Sequence, residues 1–192
     1  MRDMTKTEML IVLKIAKTPE RAFNSNNISK EVGITSMGAL KIMKKLEKEG
    51  VFASKTAGKA TFYSIGDSEY ARDYVKFLLK NEAAHSPPYT KRWINEIRKL
   101  KSADAAVLFG SVLRKGKDAN DVDVLVITDQ GKLEKLKEEV AELNNINEKH
   151  IHVIYQSLDD LRNNIAKQDK VVLNALKGIA VFGEEKLIEA IS

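Results

Sequence analysis

Cysteine is absent from the 192 residues, which excludes disulfides, thiolate nucleophiles and zinc–cysteine sites. No apolar run approaches the ~18 to 20 residues that a membrane helix requires. The opening stretch Met1-Arg2-Asp3-Met4-Thr5-Lys6 lacks the apolar core of a signal peptide. The expectation is a cytoplasmic protein with no membrane partner. Internal repeats and low-complexity segments are also missing. Proline occurs three times, and two of the three adjoin at Pro87-Pro88, where a continuing helix is impossible and a domain boundary is expected.

What is present is ordinary for a soluble globular chain: 43% hydrophobic and 31% charged residues, enough length for one large or two small cores. A net charge of +5 permits a polyanionic partner without requiring one.

Thr5 and Glu8 have capping-box spacing ahead of Met9, Leu10, Val12, Leu13 and Ala16, which predicts a helix over 5–17. An Asn-rich loop then leads to a short helix, Ile28 to Gly33. A third helix begins at Thr35 or Ser36 and ends at Gly50. At ~100° per residue, Ala39, Ile42, Met43 and Leu46 gather on one side, and Lys41, Lys44, Lys45 and Lys48 on the other. Two short strands follow, Val51 to Lys55 and Ala60 to Ile65, joined by Thr56-Ala57-Gly58-Lys59. With the third helix in a major groove, Lys55 and Lys59 at the hairpin tip can reach phosphates.

Residues 5–65 resemble a winged helix-turn-helix of prokaryotic transcription regulators, carried by Ile28-Ser29-Lys30-Glu31-Val32-Gly33-Ile34-Thr35 and Leu46-Glu47-Lys48-Glu49-Gly50-Val51. The resemblance implies double-stranded DNA as partner, through Thr35, Ser36, Lys41, Lys44, Lys45, Lys48, Lys55 and Lys59. Winged helices also pair proteins, so a protein partner stays open. From Glu69 to Asn81, Tyr70, Tyr74, Phe77 and Leu78 form an apolar stripe that must cover the first domain, the second, or a copy in a homodimer.

The expected division is 1–66, a helical linker 67–88, and a second domain 89–192. The second domain reads as a helix (Tyr89 to Lys101), strands at Ala105 to Phe109, Asp121 to Thr128 and Ile151 to Tyr155, helices at Lys132 to Asn144 and Leu158 to Lys177, and a short final strand or turn between Gly178 and Gly183. Alternating strands and helices give an α/β (α+β) class overall, here a small mixed sheet with helices on one side.

The chemistry concentrates in Phe109-Gly110-Ser111 and, after nine intervening residues, Asp121-Val122-Asp123. Residues i and i+2 of a strand share a face, so the two carboxylates lie about 6.5 to 7 Å apart at Cα and can converge on one ion or a close pair. Hard carboxylates suit Mg²⁺, which keeps water and substrate phosphates in its shell. Gly110 lets the chain turn close to a ligand, and Ser111 opens a short helix whose N–H groups and hydroxyl can hold a phosphate. Arg114, Lys115 and Lys117 add positive charge.

This Gly-Ser … Asp-x-Asp pattern resembles the polymerase-beta-like nucleotidyltransferases, particularly the minimal ones, across about 89–183. The resemblance implies a nucleoside triphosphate as substrate or ligand and Mg²⁺ or Mn²⁺ as cofactor. Asp121 and Asp123 would bind the metal; Gly110 and Ser111, with Arg114 and Lys115, would hold the phosphates. An acceptor hydroxyl would attack the α-phosphorus with pyrophosphate leaving. A third carboxylate on the next strand normally completes that site. Here the parity of Ile151, Val153 and Tyr155 leaves His150 and His152 on the opposite face, and His152 aligns best with the missing acid. Glu148 shares the parity and substitutes only if the strand begins earlier. Three readings follow: an active transferase, a catalytically inactive nucleotide-sensing regulator, and an antitoxin-like partner-binding protein.

Overall fold

Thr5 caps α1 (Lys6–Ala16) in a reciprocal capping box, its Oγ1 accepting the Glu8 N–H at 3.2 Å while Glu8 Oε2 accepts the Thr5 N–H at 2.8 Å. The next helix, α2 (Ser25–Val32), starts three residues before the expected Ile28. The Asn-rich stretch is its cap: the Asn24 side chain accepts from the N–H groups of Asn26 and Asn27. Thr35 caps α3 (Ser36–Lys48) by accepting the Gly38 N–H at 3.1 Å. Ile11, Val12, Phe23, Ile28, Met43 and Leu46 are fully buried, each contributing about 1.5 to 3 kcal/mol of transfer free energy. The hairpin β1 (Phe52–Ala57) and β2 (Ala60–Ile65) pairs Ala57 with Ala60, so its loop is only Gly58-Lys59. β2 has the expected bounds, while β1 runs two residues past the expected Lys55 because Gly58, at φ 60°, makes a two-residue turn accessible.

The computed structural model describes residues 4–191, divided into two units at Leu78/Leu79. α4 (Glu69–Ala84) crosses that division and runs past the expected Asn81. Pro87-Pro88, expected in a linker, instead opens α5 (Pro88–Ile97). Proline is favoured at a first helical position, where its missing N–H has no partner to lose.

The second unit continues with β3 (Ala105–Phe109), α6 (Val112–Lys115), a 3₁₀ turn at Gly116–Asp118, β4 (Asp121–Ile127), α7 (Leu133–Ile146) and β5 (His150–Gln156). Then come α8 (Leu158–Ala166), α9 (Lys170–Leu176), β6 (Ile179–Phe182) and α10 (Glu184–Ile191). The sheet order is β5-β4-β3-β6, with β4 and β5 parallel and the other pairs antiparallel. It is the mixed sheet expected of this class.

One helix expectation is corrected. The single helix over Leu158 to Lys177 is two, because Gln168 turns at φ 56° and Asp169 caps afresh, accepting the N–H groups of Val171 and Val172. The short final strand is β6, and α10 follows it with Leu187, Ile188 and Ala190 buried.

Helices cover both faces of the sheet, not one. Trp93, Ile94 and Ile97 of α5 and Leu136, Val140 and Leu143 of α7 pack with Val122, Val124 and Val126. Leu125 and Ile127, of opposite parity, are also buried, and α9 packs on β3 and β4. The continuous apolar run Val124 to Ile127 is what such two-sided cover demands. At the start of β4 the second face carries Asp121 and Asp123, both half-buried. The candidate site lies where that helical cover ends.

Candidate active site

The β3–β4 ladder pairs Phe109 with Asp123, so the turn after β3 passes directly over the second carboxylate. Gly110 sits there at φ 80°, and a Cβ on it would stand 2.0 Å from Asp123 Oδ2. Only a residue without a side chain fits. Next to it, the Ser111 backbone N–H favours the ionised form of the Asp123 carboxyl, and the Ser111 hydroxyl stands 3.5 Å from Asp121 Oδ1. The expected phosphate-holding serine thus directs both its polar groups at the carboxylates. Arg114 and Lys115, on the single-turn helix α6, are exposed.

Parallel pairing of β4 with β5 sets His150 opposite Asp121 and His152 opposite Asp123. One ligand atom each from Asp121, Asp123 and His152 lies within 4.8 Å of the others. Donors on one ion, with bonds of about 2.1 Å, stand at most ~4.2 Å apart, so a small side-chain rotation closes the set. Burial, and after it the Asp121 charge, pushes the Asp123 carboxyl above the usual carboxylate range; His152 and the Ser111 N–H act in the opposite direction. A carboxylate pair held together against its own repulsion, under a turn that admits no side chain, fits a divalent cation. Asp121, Asp123 and His152 are the residues that would hold it.

Glu148 is excluded as the third acid. The strand begins at His150, and Glu148 lies before it, exposed, with Arg92 Nη1 2.6 Å from its Oε1. Two residues invisible to motif reading steady the site. Lys149 donates to the carbonyls of Lys117, at 2.8 Å, and Ala119, tying the 116–120 segment to the start of β5. Asn144 accepts the Ile151 N–H at 2.7 Å and donates to the Ile151 carbonyl at 3.3 Å. Neither carries a local sequence signal, since each acts on backbone brought near by the fold. A cavity of about 330 Å³ lined by Thr128, Gln130, Tyr155 and Ser157 opens at the far ends of β4 and β5. At about 3.3 Å per residue it lies on the order of 20 Å from Asp121.

In the first unit, Lys41, Lys44 and Lys48 of α3 and Lys55 and Lys59 of the hairpin are exposed. Lys45 departs from the expected outer face. Its ammonium pairs with the Glu8 carboxylate, whose side chain is only 4% exposed. Thr35 is occupied as the α3 cap, and the Ser36 hydroxyl lies 3.2 Å from that of Ser29. The Tyr70 and Tyr74 rings meet edge to face at 6.2 Å, with Tyr70 and Phe77 exposed.

Residues 91–181 match the family described as "Nucleotidyltransferase domain". This supports the resemblance carried by Gly110-Ser111 and Asp121-Val122-Asp123. No curated protein matches the chain. Among solved structures, the chain is similar to a single-site mutant of Lactococcus lactis ZitR, at 21% identity and TM-score 0.35 over 51% of this chain and 60% of that one. A double mutant of the same ZitR, in apo form, gives 15% identity and TM-score 0.35 over 73% and 81%. The chain spans 60% of the length of the first of these structures. Among the described residues, no helix is long and apolar enough to cross a membrane.

Proposed function

We propose that the chain couples a winged helix-turn-helix, over 1–66, through the helical segment 67–88 to a nucleotidyltransferase domain, 89–192, that binds a metal–nucleoside triphosphate. The observation that carries the second half is the joint placement of Gly110, Ser111, Asp121 and Asp123 within the stretch matching the nucleotidyltransferase family. Asp121 and Asp123 supply the negative charge that holds the cation, and Ser111 holds both carboxylates in place. Arg114 and Lys115 lie one helical turn beyond Ser111, where they can neutralise phosphate oxygens. A bound Mg²⁺ or Mn²⁺ supplies charge neutralisation and orientation for the triphosphate. In the transfer, an acceptor hydroxyl forms a bond to the α-phosphorus, the bond from that phosphorus to the β-bridging oxygen breaks, pyrophosphate leaves, and the hydroxyl proton passes to solvent. The acceptor is of unassigned chemistry.

Three features support the DNA-binding half: the order of helices and hairpin, the exposed Lys41, Lys44 and Lys48, and Lys55 and Lys59 at the hairpin. A second reading, a nucleotide-sensing regulator without turnover, is favoured by two observations. Glu148 is held by Arg92, and His152 stands where a third acid would complete the site.

The decisive experiment incubates full-length protein with labelled nucleoside triphosphates and Mg²⁺ or Mn²⁺. Nucleotide binding that disappears in Asp121→Ala plus Asp123→Ala supports the site. Unchanged affinity in that double variant rejects it. Pyrophosphate release separates the transferase from the sensor.

A further inference from the structure

We infer that His152 makes this a site for a divalent first-row transition cation, represented here by Mn²⁺, in preference to Mg²⁺. The inference rests on the proposed reading of Asp121 and Asp123 as metal ligands and goes beyond it in assigning the third donor and the selectivity.

Three observations meet at His152. It lies opposite Asp123 in the β4–β5 ladder and brings a ring nitrogen within 4.8 Å of both carboxylates. It is exposed, so its ring turns toward an ion without repacking a core. Its neighbour His150 sets its ring edge to face against it, with centroids 4.8 Å apart, which narrows the rotamers the His152 ring samples. The strand beneath is anchored: the Asn144 side chain is hydrogen-bonded to both the N–H and the carbonyl of Ile151, the residue between the two histidines.

The donor set decides the preference. Three carboxylates offer only hard anionic oxygen, which suits Mg²⁺. Exchanging one for a neutral imidazole removes a full negative charge, on which Mg²⁺ relies, and adds a nitrogen donor that suits first-row transition ions better. The substitution therefore weakens Mg²⁺ and favours ions that accept mixed nitrogen and oxygen ligands. With Asp121 and Asp123 retained, an oxygen-rich remainder still accommodates Mn²⁺ and leaves positions for phosphate oxygens.

The test titrates full-length protein with Mn²⁺ or Mg²⁺ alone, by calorimetry and by spin-echo spectroscopy of bound Mn²⁺. We expect Mn²⁺ to bind at least about tenfold more tightly than Mg²⁺, with a ¹⁴N coupling from one imidazole. His152→Ala should lose the coupling and most of the preference, and His152→Asp should gain Mg²⁺ affinity. Thermal melting of both variants confirms that they fold. Equal Mn²⁺ and Mg²⁺ affinities, or a preference unchanged in His152→Ala, overturn the inference. If Asp121→Asn abolishes binding while His152→Ala keeps both the coupling and the preference, the inference falls and the two-carboxylate reading stands. If the wild-type chain binds neither ion, both fall.

Discussion

Gly110 lies so close to Asp123 that a methyl group on its Cα would stand 2.0 Å from Oδ2 of the carboxylate. The strand-ending glycine is thus a condition for the carboxylate's position as well as a feature of the turn. Gly110→Ala would meet both that contact and the cost of a side chain at φ 80°. The expected result is a folded protein destabilised by about 1 to 3 kcal/mol whose metal affinity drops at least about tenfold, read by denaturant unfolding and cation titration. Wild-type metal affinity in Gly110→Ala would show that the turn does not hold Asp123 in place.

Asp123 should oppose stability in the metal-free protein. Its pKa is raised, first by burial and then by Asp121. A carboxyl with a folded value above its unfolded one contributes stability below the unfolded pKa and loses it as pH rises through the folded one. At neutral pH the ionised group is therefore a net cost. Asp123→Asn should raise the apo melting temperature while removing stabilisation by added Mn²⁺. A lower apo melting temperature in the variant would contradict the repulsion.

Lys45 and its neighbours should separate by phenotype. Lys41→Ala, Lys44→Ala and Lys48→Ala, combined, are expected to weaken duplex DNA binding and flatten its dependence on salt, by up to about one unit of log–log slope per lysine. Lys45→Ala should instead unfold the first unit more readily, because it takes the cationic partner from a Glu8 carboxylate that is 4% exposed. The loss of one partner from a buried pair costs about 3 to 5 kcal/mol, an upper range here because the lysine itself is partly exposed. An unchanged salt slope in the triple variant would favour a protein partner over DNA.

Glu31 sits between Lys14 and Arg21, 2.7 Å from each, and these partners hold its carboxyl down at about 2. A depressed pKa contributes stability above the unfolded value and loses it as pH falls through the folded one. Glu31→Gln should therefore destabilise by about 1 kcal/mol or less at neutral pH, a small figure because the pair is solvent-screened. The difference between variant and wild type should vanish as pH falls from the ordinary 4.5 to about 2. Urea midpoints at several pH values measure it, and a difference that persists at the acid end would count against the two ion pairs.

Much of the candidate site was legible because it is local. Gly110-Ser111 and Asp121-Val122-Asp123 announce a turn and a shared strand face from spacing alone, and parity singled out His152. Elements failed to read where backbone geometry overrode pattern. Gln168 interrupts an otherwise periodic stretch at φ 56°, and Asn24 begins a helix in what composition presents as a loop.

The sequence by itself determined the alternation of helices and strands, the mixed-sheet class and the pairing of two carboxylates on one face, because periodicity, caps and turn residues act over a few positions. Only the tertiary structure decided what meets those carboxylates. Parallel pairing with β5 brings His152 to Asp123, Arg92 holds Glu148 aside, and Glu8 takes Lys45 from the cationic face. Each of those contacts joins residues far apart in the chain, so charge and hydrogen bonding chose the partners only after packing had brought them together.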